Sequence, residues 1–173
     1  MNAAVSIRLL SPADWQLYRL IRLQALQTDP RSFGSNFTRE NAFTNQEWQD
    51  RLTDPDVGLF GLFISPDIIG MTGIGIKRDD PSKRWAQLWG SWITPTHRGC
   101  GYSNLLYTTR LDLARAHPTI EWIEVSHSDG NEASRRANQR HGFVFTHRAP
   151  YAWADGGNED EIFYQLRVKN NDR

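Results

Sequence analysis

The chain has 173 residues, and its 20 lysines and arginines balance its 20 aspartates and glutamates, so the formal net charge is zero. That length suits one domain with a substantial core, and the charge balance removes any global electrostatic case for a nucleic-acid or anionic-membrane partner. The single cysteine, Cys100, excludes an intrachain disulfide and a cysteine-based zinc cluster and fits a reducing cytoplasm.

No basic segment followed by an apolar core marks a signal peptide at Met1 to Ser6, and no apolar stretch approaches the roughly 20 residues of a membrane span. A soluble, cytoplasmic protein is expected. Val5, Ile7 and Leu9 alternate with polar residues, as in a half-buried strand. Ser11, Pro12 and Asp14 read as a helix start, and Leu17, Leu20, Ile21 and Leu23 give that helix a buried face to about Gln27. Residues 29–35 read as a loop, and Thr44 with Glu47 makes a capping box for a short helix through Leu52. Val57 to Ile64 and Ile68 to Ile76 flank the turn Ser65-Pro66-Asp67, a hairpin signal. A polar loop over 79–84 leads to a strand over Ala86 to Ile93, a glycine loop, and a helix from about Tyr102 to Ala116 with apolar members Tyr102, Leu105, Leu106 and Leu113. A strand is expected over Ile120 to Val125 and a mostly polar helix from Asn131 to His141, stopped at Gly142. Further strands begin at Phe143 and run from Ile162 to Val168, and residues 169–173 read as a disordered tail. One mixed α/β domain accounts for this order.

The segment from Trp92 to Leu106 is the most informative. Two glycines bend the chain between a strand and a helix, leaving backbone N–H groups near Gly99 and Gly101 unobstructed at the positive end of a helix dipole, an arrangement suited to a phosphate-bearing ligand. A tight strand-to-helix turn is the plainer reading of the same glycines. There is no Gly-Lys-Ser/Thr of a Walker A loop, and Asn104 stands where a dinucleotide fingerprint has its third glycine.

Arg98-x-x-Gly101-x-Ser103 resembles the Gln/Arg-x-x-Gly-x-Gly/Ala loop of the Gcn5-related N-acetyltransferases (GNAT), with Ser103 departing from the usual Gly or Ala. Asn131, followed by a helix and Gly142-Phe143, is similar to the Asn…Gly-Phe segment of the same family, and the order of elements agrees along nearly the whole chain. The resemblance implies a single N-acetyltransferase domain over 1–168. Its α+β fold would have a central mixed, mostly antiparallel sheet of about seven strands, splayed between the fourth and fifth and flanked by about four helices. It implies acetyl-CoA as cosubstrate and no metal. Trp92, Ile93 and Thr94 would offer backbone contacts to the pantetheine arm. Arg98, Gly99, Cys100, Gly101, Tyr102, Ser103 and Asn104 would surround the pyrophosphate, and Asn131 would bond the cofactor near its pantetheine part. Cys100 is read as contributing its N–H rather than a nucleophilic thiol.

Acetyl transfer to an amine needs a neutral nucleophile and a proton for the departing thiolate. Many relatives carry a tyrosine for the second task seven residues after the asparagine; here that position is Asn138, which can donate a hydrogen bond to the cofactor but no proton near neutrality. Tyr151, Tyr164 or a water are the substitutes considered. For the base, Glu124 is similar to the glutamate of some ribosomal-protein acetyltransferases, and His127 lies where the strand must splay. A solvated strand residue and a loop histidine are the plain alternatives. His97 is expected to face phosphate or solvent. Trp153, with Tyr151, Asp155, Glu159, Asp160 and Glu161, would suit a cationic amine acceptor, although a solvated acidic loop fits equally. The leading reading is an acetyltransferase acting on a primary amine, of a small molecule or a peptide. The rival is a non-catalytic acyl-CoA-binding or sensing module. A homodimer through an exposed edge strand stays open.

Overall fold

In a computed structural model, residues 4–169 are described. Seven strands form one sheet: β1 (Val5–Leu9), β2 (Val57–Ile64), β3 (Asp67–Ile76), β4 (Trp85–Ile93), β5 (Trp122–Ser128), β6 (Val144–Ala149) and β7 (Glu161–Arg167), in spatial order β1-β2-β3-β4-β5-β7-β6. Every neighbouring pair is antiparallel except β4–β5, which is parallel. The helices are α1 (Trp15–Thr28), α2 (Phe37–Asn41), α3 (Asn45–Asp50), α4 (Ser103–Ala116) and α5 (Glu132–Arg140). The fold class expected from the sequence is the one observed, with five α-helices rather than about four.

Both faces of the sheet are covered. Tyr18, Ile21 and Leu26 of α1 and Trp48 of α3 pack against Leu59, Phe63, Met71 and Trp92 on one side; Tyr107, Leu111 and Ala114 of α4 pack against Phe60, Ile74, Leu88, Ile123 and Val125 on the other. A strand buried on two faces has no polar side to show, which is why β2 and β3 read as continuous apolar runs.

The extra helix, α2, is too short for a periodic signal. Asn36 caps it by accepting from the Arg39 N–H at 2.9 Å, and Glu40 anchors it. That carboxylate is fully buried, bonded by Arg22 Nε and Nη2 at 2.9 and 2.7 Å and by Arg51 Nη1 at 3.0 Å. The expected helix start at Ser11 is a 3-10 turn over Pro12–Asp14, with α1 beginning at Trp15. Leu105, expected on the apolar face of α4, is exposed. Residues 170–173 of the expected tail lie outside the described residues, whereas Lys169 donates through Nζ to the His117 and Pro118 carbonyls.

The opening between β4 and β5 follows from register. Their pairing runs from Trp85↔Trp122 to Leu88↔Val125 and then stops, while β4 stays bonded to β3 as far as Ile93↔Gly70 and β5 to β7 as far as Ser128↔Glu161. Each strand keeps its outer partner while losing the inner one, so the sheet forks. Stacked Trp85 and Trp122 rings, 5.3 Å apart, close the joined end, and β4 bends at Gly90 (φ +66°) just past the last pair. Pairing to β7 also carries β5 three residues beyond its apolar run, which ends at Val125.

Candidate active site

A 3-10 turn over Pro95–His97 ends β4 and delivers the chain to the glycine loop. Gly99 and Gly101 have φ of +76° and +79°, left-handed values that side chains disfavour. The Arg98 N–H is satisfied by Pro95 O at 3.3 Å and that of Asn104 by Gly101 O at 3.1 Å. Among the described residues, nothing accepts from the N–H groups of Gly99, Cys100, Gly101, Tyr102 and Ser103, and α4 has no side-chain cap. A Cβ at either glycine would meet no atom within 4 Å. Five successive donors therefore lack a protein acceptor at a positive helix end, a nest for an anionic group.

Within the expected contact run of 98–104, the N–H groups of 99–103 are the ones without a protein acceptor. The Arg98 guanidinium is spent on protein: Nη2 pairs with Asp29, and Nε donates to Ile93 O at 2.9 Å. Asp29 also accepts from Trp92 Nε1 at 2.6 Å. Partial burial raises the Asp29 carboxyl, but the bonds from Arg98 and Trp92 outweigh it and hold it below its ordinary range. Arg98 thus pins the loop to the end of α1. The Thr94 N–H is bonded to Ile69 O at 2.8 Å and its hydroxyl to His97 Nδ1 at 2.8 Å, which leaves neither for a ligand. His97 accordingly faces Thr94 and Thr96. Cys100 is exposed.

Behind the loop the fork opens into a cleft of about 670 Å³, within the size range of small-molecule sites. Trp92, Ile93, Arg98, Ser103, Asn131 and Asn138 of the sequence-derived set line it. Gly99 to Tyr102 and Asn104 do not; the glycines lie on the exposed loop, and the Tyr102 ring packs with Ile93 and Leu106. Asn131 lines the cleft and caps α5, its Oδ1 accepting from Ser134 N at 3.1 Å, which leaves its amide nitrogen free of that bond.

The two candidate bases separate cleanly. Glu124 sits opposite Gln87, inside the zone where β4 and β5 are still bonded, one residue before the fork. Its carboxylate is held by Lys77 Nζ at 2.8 Å and Gln165 Nε2 at 3.4 Å in a separate depression, and it does not line the cleft. Its nomination as base is corrected on that ground. His127 lies past the fork, is buried, and lines the cleft. Its Nδ1 is 2.8 Å from the Ser128 carbonyl. A carbonyl only accepts, so Nδ1 bears the hydrogen and Nε2 of the neutral ring carries a lone pair. Nε2 has no partner among the described residues.

Neither substitute phenol lines the cleft: Tyr151 packs at a tilt against Trp153, and Tyr164 packs in the core against His127. At the mouth stand Trp153, Asp155 and Glu159. Asp155 pairs with exposed Arg31 at 3.4 Å, and Trp153 Nε1 donates to Glu159 O at 2.7 Å.

Residues 20–143 match the acetyltransferase (GNAT) family. The chain belongs to that family. No curated protein matches it. Among solved structures, a GNAT-family acetyltransferase from Streptococcus pneumoniae is similar with a TM-score of 0.82 at 16% identity, over 96% of this chain and 100% of that one. The yncA acetyltransferase of Salmonella typhimurium, solved with its cofactor acetyl-CoA, gives 0.80 at 18% identity over 98% and 97%. An acetyltransferase of Salmonella typhimurium that modifies the N-terminal serine of ribosomal protein L7/L12 gives 0.76 at 15% identity over 95% of each.

Among the side chains of this GNAT cleft that escaped the sequence reading are Tyr107 and Arg110, both buried and both on the cleft wall. They follow Ser103 at i+4 and i+7, so one helical face carries the loop's last free N–H and both side chains. Extending the face of Ser103 along α4 would have found them.

Proposed function

We propose that this GNAT protein transfers an acetyl group from acetyl-CoA to a primary amine within a ternary complex, with residues 1–168 as the acetyltransferase domain. The run of five unpartnered N–H groups from Gly99 to Ser103, between the cleft-lining residues Arg98 and Ser103, carries this reading. These groups would hold the pyrophosphate. The edge of β4 from Trp89 to Ile93, which lost its partner at the fork, would pair with the pantetheine amides as an added strand does. The Asn131 amide nitrogen would donate from the opposite wall. Acetyl-CoA supplies the activated thioester; the chain supplies position and protons.

His127 Nε2 is the base in this reading, taking a proton from the acceptor ammonium directly or through one water. Trp153, Asp155 and Glu159 at the mouth favour a cationic acceptor. Asn138, in place of the family's tyrosine, is what favours the rival, a binding module without turnover. The unpartnered Nε2 of His127, a buried atom on a cleft-lining side chain, favours the enzyme.

Titration with CoA tests the cofactor half. At a hundredfold over Kd the fold should gain about 2.7 kcal/mol, which for a chain of this size raises Tm by roughly 5–11 °C. An unmoved Tm would dismiss both readings. Thiol release from acetyl-CoA over a panel of amines then separates enzyme from module. His127→Gln should lower kcat by about a hundredfold and leave the CoA-induced Tm shift intact; an unaltered kcat would remove His127 from the mechanism.

A further inference from the structure

Three of the four buried side-chain polar atoms lacking a partner among the described residues belong to cleft-lining side chains: His127 Nε2, Asn138 Nδ2 and Arg110 Nη2. The latter two side chains both touch Tyr107. The Tyr107 hydroxyl donates to Asn138 Oδ1 at 2.5 Å, which brings a phenol from α4 to the very position on α5 where relatives carry their own. The Arg110 guanidinium lies 4.9 Å from the Tyr107 ring. It is buried, donates from Nε to Leu106 O at 2.9 Å and from Nη1 to Gly73 O at 3.5 Å, and has no carboxylate partner among the described residues.

A guanidinium buried without a counter-charge costs several kcal/mol. Burial, only partly offset by the neighbouring Tyr107, lowers Arg110 to about 10, so it is still a cation at neutral pH. A resident carboxylate would have removed the cost, and the chain provides none. A negative charge that exists only during turnover is the partner that makes sense of the arrangement, because preorganised positive charge then stabilises the transition state more than the resting state.

We propose that Tyr107 is the general acid of the acetyl transfer and that Arg110 is the counter-charge for the phenolate it leaves. The proposal rests on the acetyltransferase reading above. The acceptor nitrogen attacks the thioester carbon; as the carbon–sulfur bond breaks, its electron pair goes to sulfur, and the Tyr107 proton follows to give the free thiol. The acceptor nitrogen loses a second proton to water as the intermediate collapses, and the proton that the ammonium first lost to His127 returns to the phenolate through water, so the net products are acetylated amine, CoA and one released proton. Asn138 is a positioning residue, fixing the hydroxyl until rotation about the C–O bond turns the proton toward the leaving sulfur.

The test compares wild type, Tyr107→Phe, and Tyr107→Phe with Asn138→Tyr, all scored for CoA-induced Tm shift and for thiol release with the amine panel. Tyr107→Phe should lower kcat by about 10²–10⁴-fold with the CoA shift retained. The double variant restores a phenol from α5 and should recover at least about tenfold of that loss, which no purely structural role of Tyr107 explains. A binding-free readout stands beside these. The ultraviolet phenolate titration of wild type minus that of Tyr107→Phe isolates one phenol, whose titratable neighbours are Arg110 on α4 and His141, stacked on it at 4.1 Å after α5. Burial pushes this phenol up and Arg110 pulls it down, so Arg110→Met should move its ionisation to higher pH. A Tyr107→Phe enzyme with undiminished kcat, or a phenol indifferent to Arg110→Met, overturns the proposal while leaving the acetyltransferase reading standing. A wild type that binds CoA yet releases no thiol with any amine overturns both.

Discussion

Replacing Gly101 with glutamate should abolish CoA binding. The position has φ +79°, and open space lies where its Cβ would go. The new carboxylate would stand in the nest that the N–H groups of Gly99 to Ser103 form. At about 4 Å from a phosphate, with an effective dielectric constant near 20, like-charge repulsion is worth about 4 kcal/mol, a loss of roughly a thousandfold in affinity. The left-handed backbone adds about 1–2 kcal/mol of strain to the folded state, so Tm without ligand should fall by a few degrees. Calorimetric titration with CoA reads the affinity, and a melting curve of the unliganded variant shows that the fold survives. A folded variant with wild-type affinity would mean that the loop does not bind phosphate.

The largest effect on stability is expected at Glu40. Glu40→Ala should lower the unfolding free energy by about 3–5 kcal/mol, because it strands the buried guanidinium of Arg22 without its partner. That is a large part of the 5–15 kcal/mol typical of a domain, so urea melts should show the midpoint nearly halved. Arg51 is partly exposed and can turn to water. Removing both charges, with Arg22→Met and Glu40→Leu together, should recover most of the loss. The pH dependence has a definite sign. Burial raises the Glu40 carboxyl, but the Arg22 bond and the charges of Arg22 and Arg51 more than offset this and hold it below its ordinary range. A carboxyl depressed in the folded state stabilises above its unfolded pKa, near 4.3, and loses that contribution as pH falls through the folded value. Wild type should therefore lose stability more steeply than Glu40→Gln on acidification below about pH 4. Parallel pH profiles would remove Glu40 from the electrostatic account of α2.

Much of the architecture was legible because its signals are local. The capping box of Thr44 and Glu47 forms as read, with Thr44 Oγ1 accepting from Glu47 N at 3.2 Å and Glu47 Oε2 accepting from Thr44 N at 2.7 Å. The hairpin about Ser65-Pro66-Asp67 pairs in register from Ile64↔Asp67. Glycines 99 and 101 adopt the left-handed conformation that their place between strand and helix demanded. Helix α2 was not legible, since its five residues owe their helicity to Glu40 meeting Arg22 of α1 and Arg51 just after α3.

Sequence alone determined the order of elements, the central hairpin, and the glycine loop before α4, because propensity, capping and apolar periodicity act over a few residues. Only the tertiary structure decided which side chains share the cleft. Glu124 and His127 are three residues apart on one strand, yet the last β4–β5 pair at Leu88↔Val125 falls between them and leaves one in the joined sheet and the other in the fork. Tyr107 and Asn138 are far apart in sequence and meet at 2.5 Å because α4 and α5 pack on the same sheet face. Register and helix packing are set by the whole core at once, and no short stretch of residues encodes them.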